Sequence, residues 1–510
     1  MRLALFLAAA VAALFVLGGP PAHAQDMSQK CQGLRSTDFT GLPDAMTFVL
    51  TAEVVAAGNG LPEHCRITGT ILPAIGFEMY MPTQGWNGRF LVQGCGGFCG
   101  SVPTAATRDA LARNYAVTAS DMGHRGGSPI DGKWGYNNRA AEVDFAFRAT
   151  HVNAVAGKAL VRTYYGRPAN KNYFRGCSTG GRQGMVAAQR YPGDFDGIVA
   201  GAPVLNEVGA GALHLIWSAK ANLDDRRQPI LGEGQAQLLY RAAMESCDAV
   251  DGVKDGIIDD PRACRFDPAS LQCPAGTDCL NAAQVTAAQK LYGGPKDSQG
   301  TQLFPGGLMP GSEINWISNI IAAPGRPSIY LLFGGDFLKY LAFENDPGPA
   351  YDPLSFDFDK DVDRLAYMET LYSASNPDLW AFKNRGGKVI LFQGWADQSV
   401  TPQGTIDYYE MMRRTMGGEA STTDFARLFM IPGMGHCLGS ASPGINNFDQ
   451  LTAIENWVEK NEAPDQIIAN RQQDGRTMIS RPLYPYPAVA RHRGSGDFND
   501  AASFTRFRAD

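Results

Sequence analysis

Residues 172–190 read NYFRGCSTGGRQGMVAAQR. Within them Gly176-Cys177-Ser178-Thr179-Gly180 matches G-x-S-x-G, the sharp strand-to-helix turn that exposes a serine hydroxyl at the top of an α/β sheet. The residues before it form a short apolar run, and Gly181 to Arg190 has the pattern of the helix leaving such a turn. A lone pentapeptide of this kind is a weak signal, because glycine-rich turns containing serine are common. Its context strengthens it. Far downstream, Pro432-Gly433-Met434-Gly435-His436-Cys437 sets a cysteine directly after a histidine, as Cys177 sits directly before Ser178. If Ser178 and His436 act as nucleophile and base, their side chains lie within hydrogen-bond reach. Cys177 and Cys437 are then close enough for a disulfide, which needs Cα atoms roughly 4.4–6.8 Å apart.

Other apolar runs extend the same reading. Gly88 to Gln93, Tyr115 to Ser120, Asp196 to Pro203, Lys388 to Gly394 and Ala426 to Ile431 each have the length and composition of a buried strand. Alternating with helical stretches, they predict an α/β fold with a parallel sheet covered on both faces. Asp397 follows the run ending at Gly394, and His436 follows the next, so serine, acid and histidine stand in the chain order of an α/β-hydrolase triad. A carboxylate on one imidazole nitrogen fixes the tautomer and frees the other nitrogen to take the serine proton. His124 is the main competitor for the base, but it precedes the serine and reads better as a buttress or loop cap. Acyl transfer also needs N–H donors for the oxyanion. Thr179, after the serine, supplies one, and the loop after an earlier strand, holding Gly96 and Gly97, suits the other. Which glycine donates stays open.

Between the serine strand and the acid strand the alternation fades. Residues 206–375 carry four cysteines, many aspartates and a glycine- and aromatic-rich segment, and are read as a lid inserted over the carboxyl edge of the sheet, where α/β folds bind ligands. The hydrolase domain then comprises residues 25–205 and 376–510. Inside the insertion, Cys247-Asp248-Ala249-Val250-Asp251-Gly252-Val253-Lys254-Asp255-Gly256-Ile257 crowds three carboxylates into a turn-rich loop. Hard oxygen ligands at close spacing suit calcium, although the loop lacks the EF-hand pattern. By spacing alone, a solvated acidic loop explains it equally well.

Residues 1–24 read as a secretory leader: Arg2, an apolar run from Leu3 to Leu17, and Ala22-His23-Ala24 as the cleavage pattern. No later segment is apolar enough to span a bilayer, so the mature chain is expected in the periplasm or outside the cell with no membrane partner. Ten cysteines, an even count, fit that oxidising setting. The net charge of −6 and the lack of a basic run exclude nucleic acid as a partner.

The Cys-Ser, Asp, His-Cys set resembles the tannase and feruloyl esterase family. The likeness extends through Leu61-Pro62-Glu63-His64-Cys65, the acidic loop, Gly311-Ser312-Glu313, Phe356-Asp357-Phe358-Asp359 and Arg481-Pro482-Leu483-Tyr484-Pro485-Tyr486-Pro487. The resemblance implies an α/β-hydrolase fold with a large lid. It also implies a secreted serine carboxylesterase that cleaves esters of aromatic acids by way of an acyl-enzyme. Ferulate-like hydroxycinnamates are the first expectation, with gallate esters or mono(2-hydroxyethyl) terephthalate as alternatives. The implied substrates are small aromatic esters of plant cell-wall or tannin origin, and no organic cofactor is implied. It further implies structural calcium in the lid, held by Asp248, Asp251 and Asp255 side chains with Val253 and Ile257 carbonyls. Family pattern pairs Cys31 with Cys65, Cys177 with Cys437, Cys247 with Cys264 and Cys273 with Cys279, leaving Cys95 and Cys99 without an assigned partner. Relatives often carry tail cysteines where this chain has Tyr484 and Arg506, so the tail is expected to be held by packing alone, with Tyr484, Tyr486 and Phe504 as candidates. Trp316 and Phe333, with Arg326 or Lys339, are candidates to face the acyl ring; equally, they build the lid core. The rival from another class, a non-catalytic binding protein on a hydrolase fold, is opposed by the three filled triad positions.

Overall fold

Every apolar run read above as a strand lies in one nine-stranded sheet. Along the chain its strands are β1 (Thr47–Val55), β2 (His64–Ile71), β3 (Ile75–Pro82), β4 (Arg89–Gln93), β5 (Ala116–Ser120), β6 (Lys171–Cys177), β7 (Gly197–Gly201), β8 (Lys388–Gly394) and β9 (Ala426–Ile431). Their spatial order is β1-β2-β3-β5-β4-β6-β7-β8-β9. These positions come from a computed structural model that describes residues 22–273, 278–323, 325–439 and 444–508; the leader read over residues 1–24 falls, up to residue 21, outside them. From β5 to β9 every pairing is parallel. β5 and β7 are buried at every position, as strands covered on both faces must be.

The expected parallel sheet carries an antiparallel extension. β1, β2 and β3 pair antiparallel with one another, and β3 pairs antiparallel with β5. β2 shows why these strands escaped notice: Cys65, Ile67 and Ile71 are buried while Arg66, Thr68 and Thr70 are only half covered. That period of two is the mark of a strand with one wet face, not of a continuous apolar run. The mixed sheet, with its strand order and helices, is that of an α/β-hydrolase.

β4 precedes β5 in the chain yet lies between β5 and β6, so the direction of sheet growth reverses there. The loops after β4 and β6 leave the carboxyl edge side by side, at the kind of switch point where such sheets bind ligands. Between β7 and β8 the described residues contribute no strand to this sheet. It builds helices Glu233–Cys247, Ala282–Gly293 and Ile329–Tyr340 around a separate apolar cluster that includes Leu239, Leu291, Trp316 and Tyr330.

Five disulfides brace this frame: Cys31–Cys65, Cys95–Cys99, Cys177–Cys437, Cys247–Cys264 and Cys273–Cys279. Cys95 and Cys99 thus close the glycine loop after β4 on itself. The carboxyl-terminal tail forms two hairpins, β10 (Ile467–Gln473) with β11 (Arg476–Leu483) and β12 (Val489–His492) with β13 (Phe504–Phe507). Packing is not all that holds it. Arg481 in β11 is fully buried, lies over the Phe504 ring and forms an ion pair with Asp255 of the acidic loop.

A second buried ion pair joins the sheet to the insertion. Arg182, on the helix Thr179–Arg190, has its Nε 3.1 Å from Glu207 Oε2. Its terminal nitrogens donate to the carbonyls of Ala146 and Phe145 at 2.9 and 3.1 Å. Arg182 is wholly buried and Glu207 nearly so, so removing either charge strands the other. Arg182→Met is expected to lower unfolding free energy by about 3–5 kcal/mol. Arg182→Met combined with Glu207→Leu should recover much of that loss, and urea denaturation of the three proteins measures both.

Candidate active site

Ser178 caps the helix Thr179–Arg190 with φ 62° and ψ −125°, a backbone conformation that L side chains rarely adopt. Residues are held there only when the surroundings over-determine them. Two constraints do so here: Ser178 N–H donates to the Gly201 carbonyl at 2.9 Å, and the neighbouring Cys177 is bonded to Cys437. The turn also presses the helix against the loop after β4. A Cβ at Gly180 would come 2.8 Å from the Cys95 carbonyl oxygen, so only glycine fits.

Asp397 is completely buried just past β8, and every lone pair direction has a donor. Oδ1 accepts from the N–H groups of Ser399 and Val400 at 2.8 and 2.9 Å, and Oδ2 from Gln393 Nε2 at 3.0 Å. His436 Nδ1 lies 3.1 and 3.0 Å from the two carboxylate oxygens. Burial opposes a charged imidazole, but the Asp397 carboxylate outweighs it and lifts the His436 pKa above the ordinary 6.5. The other ring nitrogen, Nε2, faces the cavity side with the disulfide sulfur of Cys437 3.6 Å away. Ser178 and His436 line one cavity, though no direct hydrogen bond joins them. Catalytic hydrogen bonds of that kind are often long before substrate binds.

Gly96 and Gly97 line the same cavity, as does Thr179. Among the described residues neither glycine N–H is spent on a protein acceptor. Gly97 has φ +58° and a Cβ there would meet the Pro129 carbonyl at 2.3 Å, while a Cβ on Gly96 would point into open space. Gly97 is thus required by the fold, and Gly96 leaves room beside the serine. The Thr179 hydroxyl ties the two sides together by donating to the Gly97 carbonyl at 2.7 Å. His124 stands behind this loop: Nε2 is 2.6 Å from the Phe98 carbonyl and its ring stacks on Trp134. Burial depresses its pKa to about 4, which leaves it neutral and suits a buttress.

The cavity has a volume of about 560 Å³, within the usual size of small-molecule sites. Of the four insertion residues considered for the acyl ring, Phe333 lines it, against the edge of Phe98 at 4.5 Å. Trp316 does not; it is buried in the insertion's own core and donates to the Ser312 hydroxyl. Arg326 and Lys339 are not among the lining residues either. Residues the sequence did not single out complete the walls, among them Asn319, Tyr330 and Ser399, and nothing in their local sequence marks them.

The acidic loop is a separate centre. Asp248 Oδ1 accepts the N–H groups of Asp255, Gly256 and Ile257 at 3.2, 3.0 and 3.2 Å, so this carboxylate shapes the turn. Asp251 Oδ1 accepts from Val253 N–H at 3.1 Å, but its Oδ2 and both oxygens of fully buried Asp259 have no hydrogen-bond donor. Burial, reinforced by the neighbouring carboxylates, pushes Asp251 up to about 6 and Asp259 well above the carboxylate range. Among the described residues no group of three or more His, Cys, Asp or Glu side chains converges as a ready-made metal site. The unpartnered oxygens nonetheless have the chemistry of hard-cation ligands. Asp259, which lies just beyond the loop motif, was missed because spacing alone does not reveal burial.

Comparison with known proteins follows the same lines. The family model described as tannase and feruloyl esterase matches residues 60–507. The mono(2-hydroxyethyl) terephthalate hydrolase of Piscinibacter sakaiensis is 36% identical, with 89% of this chain and 86% of that protein covered. A probable feruloyl esterase of Arthroderma benhamiae is 32% identical over 82% of this chain and 80% of its own length. The crystal structure of feruloyl esterase B from Aspergillus oryzae superposes with a TM-score of 0.84 at 27% identity, covering 94% of this chain and 100% of that one. With a match of that extent and relatives above 30% identity along most of both chains, the protein belongs to the tannase and feruloyl esterase family and is a carboxylic ester hydrolase.

Proposed function

We propose that the protein is an exported serine esterase acting on esters of aromatic acids, hydroxycinnamates such as ferulate foremost. Ser178 is the nucleophile, His436 the base and Asp397 the group that orients and charges the imidazole. The observation that carries this reading is the Asp397–His436 pair opening, with Ser178, into one apolar cavity beside free backbone N–H groups. His436 Nε2 takes the Ser178 proton as Oγ attacks the ester carbonyl, and the resulting oxyanion is met by the Thr179 N–H together with that of Gly96 or Gly97. The protonated His436 then gives its proton to the departing alcohol, leaving an acyl-Ser178 ester. Water, activated by the same nitrogen, releases the acid and restores the serine. Residues 206–375 act as the lid, and Phe333 from this segment lines the same cavity as Ser178. Export is supported by five disulfides, which persist in oxidising compartments, and among the described residues no helix is long and apolar enough to cross a membrane.

The acidic loop is proposed to hold a structural calcium through Asp248, Asp251 and Asp255 side chains and the Val253 and Ile257 carbonyls, with Asp259 as a further carboxylate. Three unpartnered carboxylate oxygens in a buried setting support this, since a cation would neutralise what burial otherwise penalises. When bound, the ion supplies charge compensation and no chemistry at the ester.

Ser178→Ala should lower turnover of methyl ferulate by roughly 10³–10⁶-fold with an unchanged circular dichroism spectrum; turnover at the wild-type rate would refute the assignment. Because Asp397 raises the His436 pKa, the base is free only at higher pH. The acid limb of kcat/KM should therefore have its midpoint above 6.5. Asp397→Asn should move that limb to lower pH and cut kcat by about 10⁴-fold.

Chelation should lower the melting temperature by about 2–4 °C, with recovery on adding calcium. Asp251→Ala should abolish that response, and differential scanning calorimetry reads both.

A further inference from the structure

We propose that the cavity selects an acyl ring that carries no charge and reads a ring hydroxyl through Asn319, an inference that rests on the aromatic-ester reading above. Its walls around Ser178 are apolar at Ile130, Leu215 and Phe333. Among the described lining residues there is no lysine or arginine. The Arg182 guanidinium is fully buried, ion-paired with Glu207 and bonded to two carbonyls, and is not among the lining residues. Glu207, the ion-pair partner of Arg182, itself lines the cavity, and burial pushes its carboxyl above the usual range, so it offers no positive charge either. A carboxylate on the acyl ring would thus lose water without gaining a cation, and that loss is costly.

The hydroxyl and amide groups on the wall are neutral. Tyr330 hydroxyl donates to the Gln398 carbonyl at 2.5 Å and lies 3.3 Å from the Ser399 hydroxyl. Asn319 Nδ2 donates to the Asn315 carbonyl at 2.9 Å, and its Oδ1 has no donor among the described residues. An amide oxygen on the wall of an apolar cavity suits a phenolic O–H, which can donate to it. A charged ring substituent, such as the free carboxylate of a terephthalate monoester, finds no counterpart there.

The test compares two esters with the same ring and leaving group, monomethyl terephthalate and its neutral isostere methyl 4-carbamoylbenzoate. Each kcat/KM is divided by the rate of hydrolysis in hydroxide, which removes intrinsic reactivity. The neutral ester is expected to win by about 100-fold or more; a ratio below about 10-fold would overturn the selection by charge. In a second arm, Asn319→Leu should reduce the preference for methyl 4-hydroxycinnamate over methyl cinnamate by about 5–10-fold. An unchanged preference would overturn the role of Asn319. If neither aromatic pair is turned over while an acetyl ester is, the aromatic-ester reading itself fails, an outcome distinct from both.

Discussion

The bond between Cys177 and Cys437 is the constraint on which the site depends. It spans 260 residues of sequence and fastens the end of β6 to the loop after β9, although β7 and β8 lie between those strands in the sheet. Closing so long a loop removes about 5–6 kcal/mol of freedom from the unfolded chain in the chain-entropy picture. Its local effect is greater. Ser178 follows one cysteine and His436 precedes the other, so the two functional groups are held by adjacent backbone. Cys437 itself has φ 54°, and Ser178 φ 62°, so the bridge joins two turns that are both in left-handed conformations. The paired sulfurs form part of the cavity wall beside His436.

Around that clamp the buried charges follow two different rules. Asp397 is saturated by two backbone N–H groups, the Gln393 amide and His436, which lets an ionised carboxylate sit in a fully buried position. Arg182 and Glu207 form an ion pair that links the serine helix to the start of the insertion. In the acidic segment Asp251 and Asp259 carry buried oxygens with no hydrogen-bond donor among the described residues. Glu207 and Glu369 also keep one oxygen without a hydrogen-bond donor, but at Asp259 both oxygens are so placed.

Much of the fold was legible because its centre is made of buried parallel strands, whose continuous apolar runs stand out. β8 and β9 begin and end where composition alone marks them, at Lys388–Gly394 and Ala426–Ile431. The antiparallel strands β1 to β3 were not seen, because one wet face dilutes the apolar signal by half. The tail was half understood: Phe504 does pack, but the buried Arg481 that it covers bonds to a residue 226 positions away, and no local pattern announces a pairing of that range.

What the sequence by itself determined is the order of chemical parts: a serine at a strand-to-helix turn, an acid and a histidine after later strands, and a cysteine beside two of the three. Those are local features, set by turn geometry, strand length and neighbouring residue types. The tertiary structure alone decided what surrounds them. It sent Trp316 into the core of the insertion and Phe333 to the cavity, closed Cys95 onto Cys99, and gathered Asn319, Tyr330 and Ser399 from separated segments onto one wall. A pocket is a contact among residues distant in sequence, and its charge balance depends on which side chains burial has already paired. That is why the identity of the reaction could be read along the chain, while the nature of the ring it accepts depends on the packing of the insertion against the sheet.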